Sequence, residues 1–476
     1  MENQPKRSAT PTMILIGKLD ELNLHSRFIV SLRSISLESK YHSIVLYAVD
    51  KEPPTAADGD LDPEKELSRR LDSVELSSDQ AAAREWHAME EECPHLGASM
   101  AEADIEIEDD AVIAICSGLK CDQRVATTSY DFNLRTGESS SGLTACVLST
   151  AVKEGKLYIG HPDGATDWTL ISVRPVSQRF AIPNLDAVKL ESSIQSLERP
   201  RPESLVEWGA LILRTANPDL KVNLTRHAIG LFRKGDIPIL ASSATPKEFT
   251  LPPDTPCREA VQMVRPGDVL KRGKGGSVAN RIKLLHALAN IELWAIDLAW
   301  DIITRFAQEQ INGQLLPRAF FTDFGKVAED EAKHFTLLRE ALRRLGSDWG
   351  ELPIHDGLWQ SARDTSHSLI SRLCIIHLVH EARGLDVNPT QIKRVRDAGD
   401  LETAQSLEII HADEVTHVAA GHRWLCHICN NSVPKTAPVT VFRKEVEVHF
   451  FGKLKPPFNV EDRARAGLDP SFYQDL

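Results

Sequence analysis

Apolar and polar positions change their period midway along the chain. From about Ser26 to Val173 apolar residues come in short alternating runs, as in Ser43-Ile-Val-Leu-Tyr-Ala-Val, Ala111-Val-Ile-Ala-Ile-Cys and Leu157-Tyr-Ile. Successive side chains of a strand point to opposite faces, so this period predicts a small all-β unit over residues 26–173. An acidic stretch with Pro and Ser, about residues 50–85, interrupts it and predicts a loop or loose helix. Arg174-Pro, Ile182-Pro and Glu198-Arg-Pro-Arg-Pro then predict an interdomain linker over residues 174–203. From residue 204 to 476 the period lengthens to that of amphipathic helices, with residues 204–281 expected to add helices against a central bundle.

Four helical segments stand out. In the first, around Ile282 to Trp300, Leu285, Leu288, Ala289, Ala295 and Ala299 share a face with Glu292. In the second, Phe320 to Leu345, one stripe holds Asp323, Val327, Glu331, His334 and Leu338. The third, roughly Leu369 to Arg383, is apolar nearly all round, as an innermost helix would be, with Gly384 expected as its C-cap. The fourth, Leu401 to Cys429, carries Glu408, His411, Glu414, His417 and His422. Cys426-His-Ile-Cys429 has a zinc-like spacing but no second Cys/His pair after it, and reads as the buried end of that helix.

The polar residues inside these apolar faces follow an order: Glu292, then Glu331-x-x-His334, then Glu381, then Glu414-x-x-His417. A Glu-x-x-His match alone carries nothing, since Glu92-Cys-Pro-His95 and Glu408-Ile-Ile-His411 also fit. The weight lies in the order and the similar separations, which describe two helical hairpins in series. Positions i and i+3 of a helix lie about 5–6 Å apart at Cβ, so one carboxylate and one imidazole can reach the same ion. A glutamate among apolar side chains is costly to bury unless paired or bound to metal. The pattern is the ligand set of a carboxylate-bridged di-iron or di-manganese centre in a four-helix bundle. On this reading Glu292 and Glu381 are the bridging glutamates and His334 and His417 the terminal nitrogen ligands. His411 is left as a hydrogen-bond partner or surface residue, His422 falls too far round the helix to share the ion, and Asp330 is expected to face solvent.

The stretches His286-Ala-Leu-Ala-Asn-Ile-Glu-Leu-Trp-Ala-Ile-Asp-Leu, Val327-Ala-Glu-Asp-Glu-Ala-Lys-His-Phe, His355-Asp-Gly-Leu-Trp, Glu381-Ala-Arg-Gly-Leu-Asp-Val and Asp413-Glu-Val-Thr-His-Val-Ala-Ala-Gly closely resemble a ferritin-like family known as domain of unknown function 455. The resemblance runs from about Ser204 to the C-terminus, through Pro456-Pro-Phe-Asn and Ala464-Arg-Ala-Gly. It implies a ferritin-like bundle with metal ligands at Glu292, Glu331, His334, Glu381, Glu414 and His417, and it implies no substrate. A related ferritin-like group hydroxylates a modified adenosine in transfer RNA, a link of fold analogy alone.

In the β unit, Cys93-Pro-His95-Leu-Gly-Ala-Ser-Met and Tyr130-Asp-Phe-Asn-Leu-Arg-Thr-Gly137 resemble a Rieske domain. That resemblance implies a [2Fe-2S] cluster held by one Cys and one His from each of two loops, here Cys93, His95 and Cys116. The second loop departs from the pattern. Cys116-Ser-Gly-Leu119 and Cys121-Asp-Gln-Arg124 contain no histidine, and none occurs between His95 and His161. Three readings stay open: a gene-model artefact over residues 117–129, a domain that has lost its cluster, or Cys121 as a substitute ligand.

Composition narrows the classes. With 476 residues, 42% hydrophobic and 26% charged, the chain is expected to form two or more globular domains. A net charge of −13 argues against a nucleic-acid surface spread over the whole molecule. No apolar run reaches the roughly 20 residues needed to cross a membrane. The opening Met1-Glu-Asn-Gln-Pro-Lys-Arg-Ser lacks an apolar secretory core, and eight Cys without a disulfide-like framework leave a cytoplasmic setting as the expectation. The function expected is an oxygen-dependent hydroxylase or oxidase with a fused Rieske-like electron-transfer module. An incomplete cluster would make it depend on an external reductase. The alternatives are an iron-handling or peroxide-scavenging ferritin-like protein, and a non-catalytic interaction protein with a cluster-less Rieske-like domain. The substrate is not legible.

Overall fold

The computed structural model describes residues 13–34, 40–50, 84–94, 99–108, 111–116, 130–162, 167–176, 201–241, 252–259, 261–268 and 277–476. They fall into two compact units, a β unit followed by a helical one.

The β unit holds β1 (Ile14–Lys18), β2 (Arg27–Ser34), β3 (Tyr41–Asp50), β4 (Arg84–Glu90), β5 (Asp104–Glu108), β6 (Ala111–Cys116), β7 (Tyr130–Asn133), β8 (Val147–Leu148), β9 (Thr150–Lys153), β10 (Lys156–Ile159) and β11 (Trp168–Pro175). They form antiparallel sheets ordered β11-β2-β3-β4-β8, β1-β10-β9 and β5-β6-β7. β3 explains its own apolar run. Ile44, Leu46 and Ala48 point into a core with Phe28, Val30, Trp86 and Trp168, while Val45 and Tyr47 point into another with Ile29, Met89 and Phe132. Both faces of this central strand are buried, so both sets must be apolar. β6 alternates strictly, with Val112, Ala114 and Cys116 inward. Glu154 and Gly155, both at positive φ, close the β9–β10 hairpin in the turn that suits strand twist. β1 and the end of β11, where Arg174 and Pro175 pair with Ile29 and Phe28, lie outside the 26–173 span read from periodicity. Residues 51–83 of the acidic insert and 177–200 of the expected linker lie outside the described residues.

The helical unit starts with α1 (Leu205–Arg214) and α2 (Pro218–Lys234). Ser204 caps α1 by accepting from the Glu207 backbone N–H, and Glu207 reaches back to accept from the Glu203 N–H at 2.7 Å. Residues 252–259 and 261–268 add non-helical chain with one 3₁₀ turn, so the described part of 204–281 is only partly helical. The bundle follows: α3 (Val278–Arg305), α4 (Arg318–Arg344), α5 (Gly357–Asp364), α6 (Leu369–Arg372), a π-helical stretch Leu373–His380, α7 (Glu381–Asp397) and α8 (Leu401–Asn431). α3 packs along α4, α7 along α8, and α8 against α4, the two hairpins expected. Among the described residues no helix is long and apolar enough to cross a membrane.

The joints carry turn chemistry. β12 (Gln310–Ile311) and β13 (Gln314–Leu315) link α3 to α4 through Asn312-Gly313, both at positive φ, a two-residue turn. Gly384 is not the C-cap expected of it. α7 runs on to Asp397, and Gly399 at φ 80° follows the helix end. Pro389 sits inside α7 and cannot donate to the Leu385 carbonyl. Asn459 does so instead, its Nδ2 donating to Leu385 O at 3.2 Å. Nearby, buried Arg463 donates to both oxygens of Asp386 and stacks on Tyr473, so the chain after α9 (Pro438–His449), with α10 (Val460–Arg465) and α11 (Pro470–Tyr473), braces α7.

Candidate metal centre

Each helix of the bundle brings its acid to one level. Glu292 lies mid-α3 among Leu285, Leu288, Ala289 and Ala295, all buried. α4 supplies Glu331 and His334, both with no exposed surface. Glu381 opens α7, straight after the π-helical stretch, and α8 supplies Glu414 and His417. Gly384, one turn on from Glu381, faces the Glu414 carboxylate, whose Oε2 lies at ordinary contact distance, 3.6 Å, from where a Cβ would stand.

These six side chains form two overlapping ligand groups. One is Glu292, Glu331, His334 and Glu414; the other is Glu331, Glu381, Glu414 and His417. Within each, one donor atom from every residue lies within 4.8 Å of the rest. Glu331 and Glu414 are common to both. Glu292 and Glu381 belong to one group each.

The imidazoles are oriented from behind. His334 turns Nδ1 to the carboxylates, 3.2 Å from Glu331 Oε2 and 3.6 Å from Glu292 Oε2, and Nε2 to Asp413 Oδ2 at 2.9 Å. His417 turns Nδ1 to Glu331 Oε1 at 2.9 Å and Nε2 to Asp330 Oδ2 at 3.3 Å. Lys333 joins the two supports, its Nζ 3.0 Å from Asp330 Oδ1 and 2.6 Å from Asp413 Oδ2. Asp330 is thus buried at 2% exposure, not solvent-facing. A residue one step from a ligand points about 100° away, but in an inner helix that direction meets the next helix. Carboxylates behind metal-ligating histidines fix tautomer and ring angle. Sequence reasoning passed over Asp330, Lys333 and Asp413 as site residues, although an Asp precedes the glutamate in both motifs.

The charges do not balance within the protein. Burial and the Glu292 and Glu414 carboxylates push Glu331 well above the ordinary range, and burial with Glu381 and Glu292 does the same to Glu414. Burial pushes Glu381 up to about 7. Burial opposes charge on Glu292 too, but hydrogen bonds with His334 and Glu331 hold it below its usual value. His334 loses to burial but gains more from Asp413 and Glu292, reaching about 9, whereas burial wins at His417 and lowers it. Glu331 Oε1 and His417 Nδ1, 2.9 Å apart, do not meet in hydrogen-bond geometry, and neither makes a hydrogen bond among the described residues. Two buried polar atoms turned toward one point without a shared proton fit donors to a cation. The buried Glu/His group could hold metal.

The other sequence candidates separate from this centre. His411 pairs with Asp462 at 3.0 Å. His422 lies against Cys426 and the Phe472 ring. Cys426 and Cys429 are buried at the end of α8. In the β unit Cys93 and Cys116 are buried in one hydrophobic cluster with Met100 and Phe132. His95 and Cys121, with all of residues 117–129, lie outside the described residues.

Two Glu-x-x-His hairpins around buried carboxylates define a helical unit with a buried Glu/His group that could hold a metal. The chain belongs to the family described as "Protein of unknown function (DUF455)", which matches residues 214–474, nearly the whole helical unit. An uncharacterized protein of Haemophilus influenzae is 35% identical over 225 residues, 44% of this chain and 73% of that protein.

Proposed function

We propose that the helical unit holds a carboxylate-bridged pair of iron or manganese ions, and that the chain is an oxidoreductase working on dioxygen or peroxide. The observation that carries this is the sharing of Glu331 and Glu414 between two ligand groups, each completed by one imidazole. Oxygen donors with two imidazoles suit iron or manganese, whereas structural zinc favours thiolates. When bound, such a pair supplies two-electron redox chemistry at one buried point. The protein's part is to fix the donors: Asp413 and Asp330 hold the rings, and Lys333 compensates both aspartates. Enclosure favours a fixed redox centre over iron throughput, since Glu331 and His334 have no exposed surface.

The β unit is proposed to be Rieske-like in arrangement, on the strength of Cys93 and Cys116 in one cluster. A Rieske cluster needs two imidazoles, and His95 is the only histidine between His87 and His161. The donor set does not fit, so no electron path is drawn through it, and a separate reductase is the expected partner. Metal analysis of the full-length protein, with Glu331→Ala as control, tests the reading. A folded chain that retains no iron or manganese would count against it.

A further inference from the structure

The ligand set leaves one buried imidazole beside the centre without a role. His377 lies one turn before Glu381, inside the π-helical stretch Leu373–His380, at 1% exposure. Neither of its ring nitrogens has a hydrogen-bond partner among the described residues. Its ring packs on Phe324 of α4 with centroids 4.8 Å apart, two turns before Glu331. On α8, Gly421 makes the approach possible: a Cβ there would come within 2.8 Å of His377 Cβ and 3.1 Å of its carbonyl oxygen. Gly421 is one turn past His417, so His377 occupies the layer next to the ligands. The other positions one turn out on that side, Ala295 on α3 and Ala328 on α4, are small, buried and apolar.

Leaving a polar group buried and unpaired costs stability, and a leucine would fill this space without that cost. π-Helical stretches inside helices recur mostly at functional sites. Burial, the Arg372 guanidinium and the His417 ring hold His377 down to about 3, so at neutral pH it offers one N–H and one acceptor.

We propose that His377 is the polar contact for a small anionic ligand entering the centre, donating a ring N–H to the ligand atom furthest from the glutamates. This rests on the metal-centre reading above, and the test separates the two. Azide is titrated into the iron-loaded full-length protein, with absorption as the readout and iron content measured on the same samples. Wild type is expected to bind azide, and His377→Leu to bind it about tenfold more weakly with iron content unchanged. His377→Gln, which keeps an N–H, should recover most of the affinity. His377→Leu should also keep or raise the Tm, because it removes an unpaired polar group. Equal azide affinity in wild type and His377→Leu would overturn the proposal, as would loss of iron or a lower Tm in that variant. Wild type that holds iron but ignores azide overturns this inference alone, whereas wild type that takes up no iron overturns the metal centre and this inference with it.

Discussion

His334 and His417 each face the carboxylates through Nδ1 and an aspartate of the opposite motif through Nε2. The sharing of Glu331 and Glu414 makes the ligands unequal in consequence. Glu331→Ala or Glu414→Ala should remove both ions, while Glu292→Ala or Glu381→Ala should leave about one per chain, read by metal stoichiometry on folded protein. The lysine behind the rings is predicted to matter less: Lys333→Met should lower metal affinity about 10–100-fold, as loss of other supporting groups does, with the helices intact by circular dichroism. Protons supply a further test. In metal-free protein Glu331, Glu414, Glu381 and His334 all lie above their unfolded values. The native state then binds more protons than the unfolded chain, so stability falls as pH rises. His417 and Glu292 act the other way, but only below about 6.5 and 4.5. Chelator-treated protein should therefore lose more Tm between pH 7 and 9 than metal-loaded protein does, since Lys221, lowered to about 8 by burial, titrates alike in both. The acids and imidazoles were legible because buried charge at helical spacing stands out against apolar neighbours. Asp330 was not, since one residue's direction is fixed only once the neighbouring helix is known.

At the scale of elements, amphipathic period placed three of the four helices to within a few residues, because each buries one broad stripe, whereas the third runs on to Asp397, well past the Arg383 expected. Ends were harder. Gly384 looks like a stop, yet α7 runs through it, and Gly399 ends the hairpin arm. Pro389 looks like a break, yet Asn459 takes up the carbonyl it leaves free. The partner lies far along the chain, so no local pattern could reveal it. Removing that support should be costly: Arg463→Leu leaves Asp386 buried with its main charge partner gone and should destabilise the helical unit by about 3 kcal/mol. Arg463→Leu with Asp386→Leu should recover part of the loss, measured by denaturant unfolding of both variants.

For the whole molecule, the change from period two to helical period marked a β unit followed by a helical one, and the structure has that order. What sequence could not carry is the chemistry of the β unit, because the absence of a second histidine is silent about what replaces it. Reduced full-length protein is predicted to lack a Rieske-type paramagnetic signal, and a strong one would identify an unforeseen fourth ligand. The helical unit carries the central claim. Its most direct test is the metal content of the folded, full-length protein expressed in iron-rich medium. Two iron or manganese ions per chain are predicted, and a folded chain holding none, or a single ion that survives Glu331→Ala, would contradict the account.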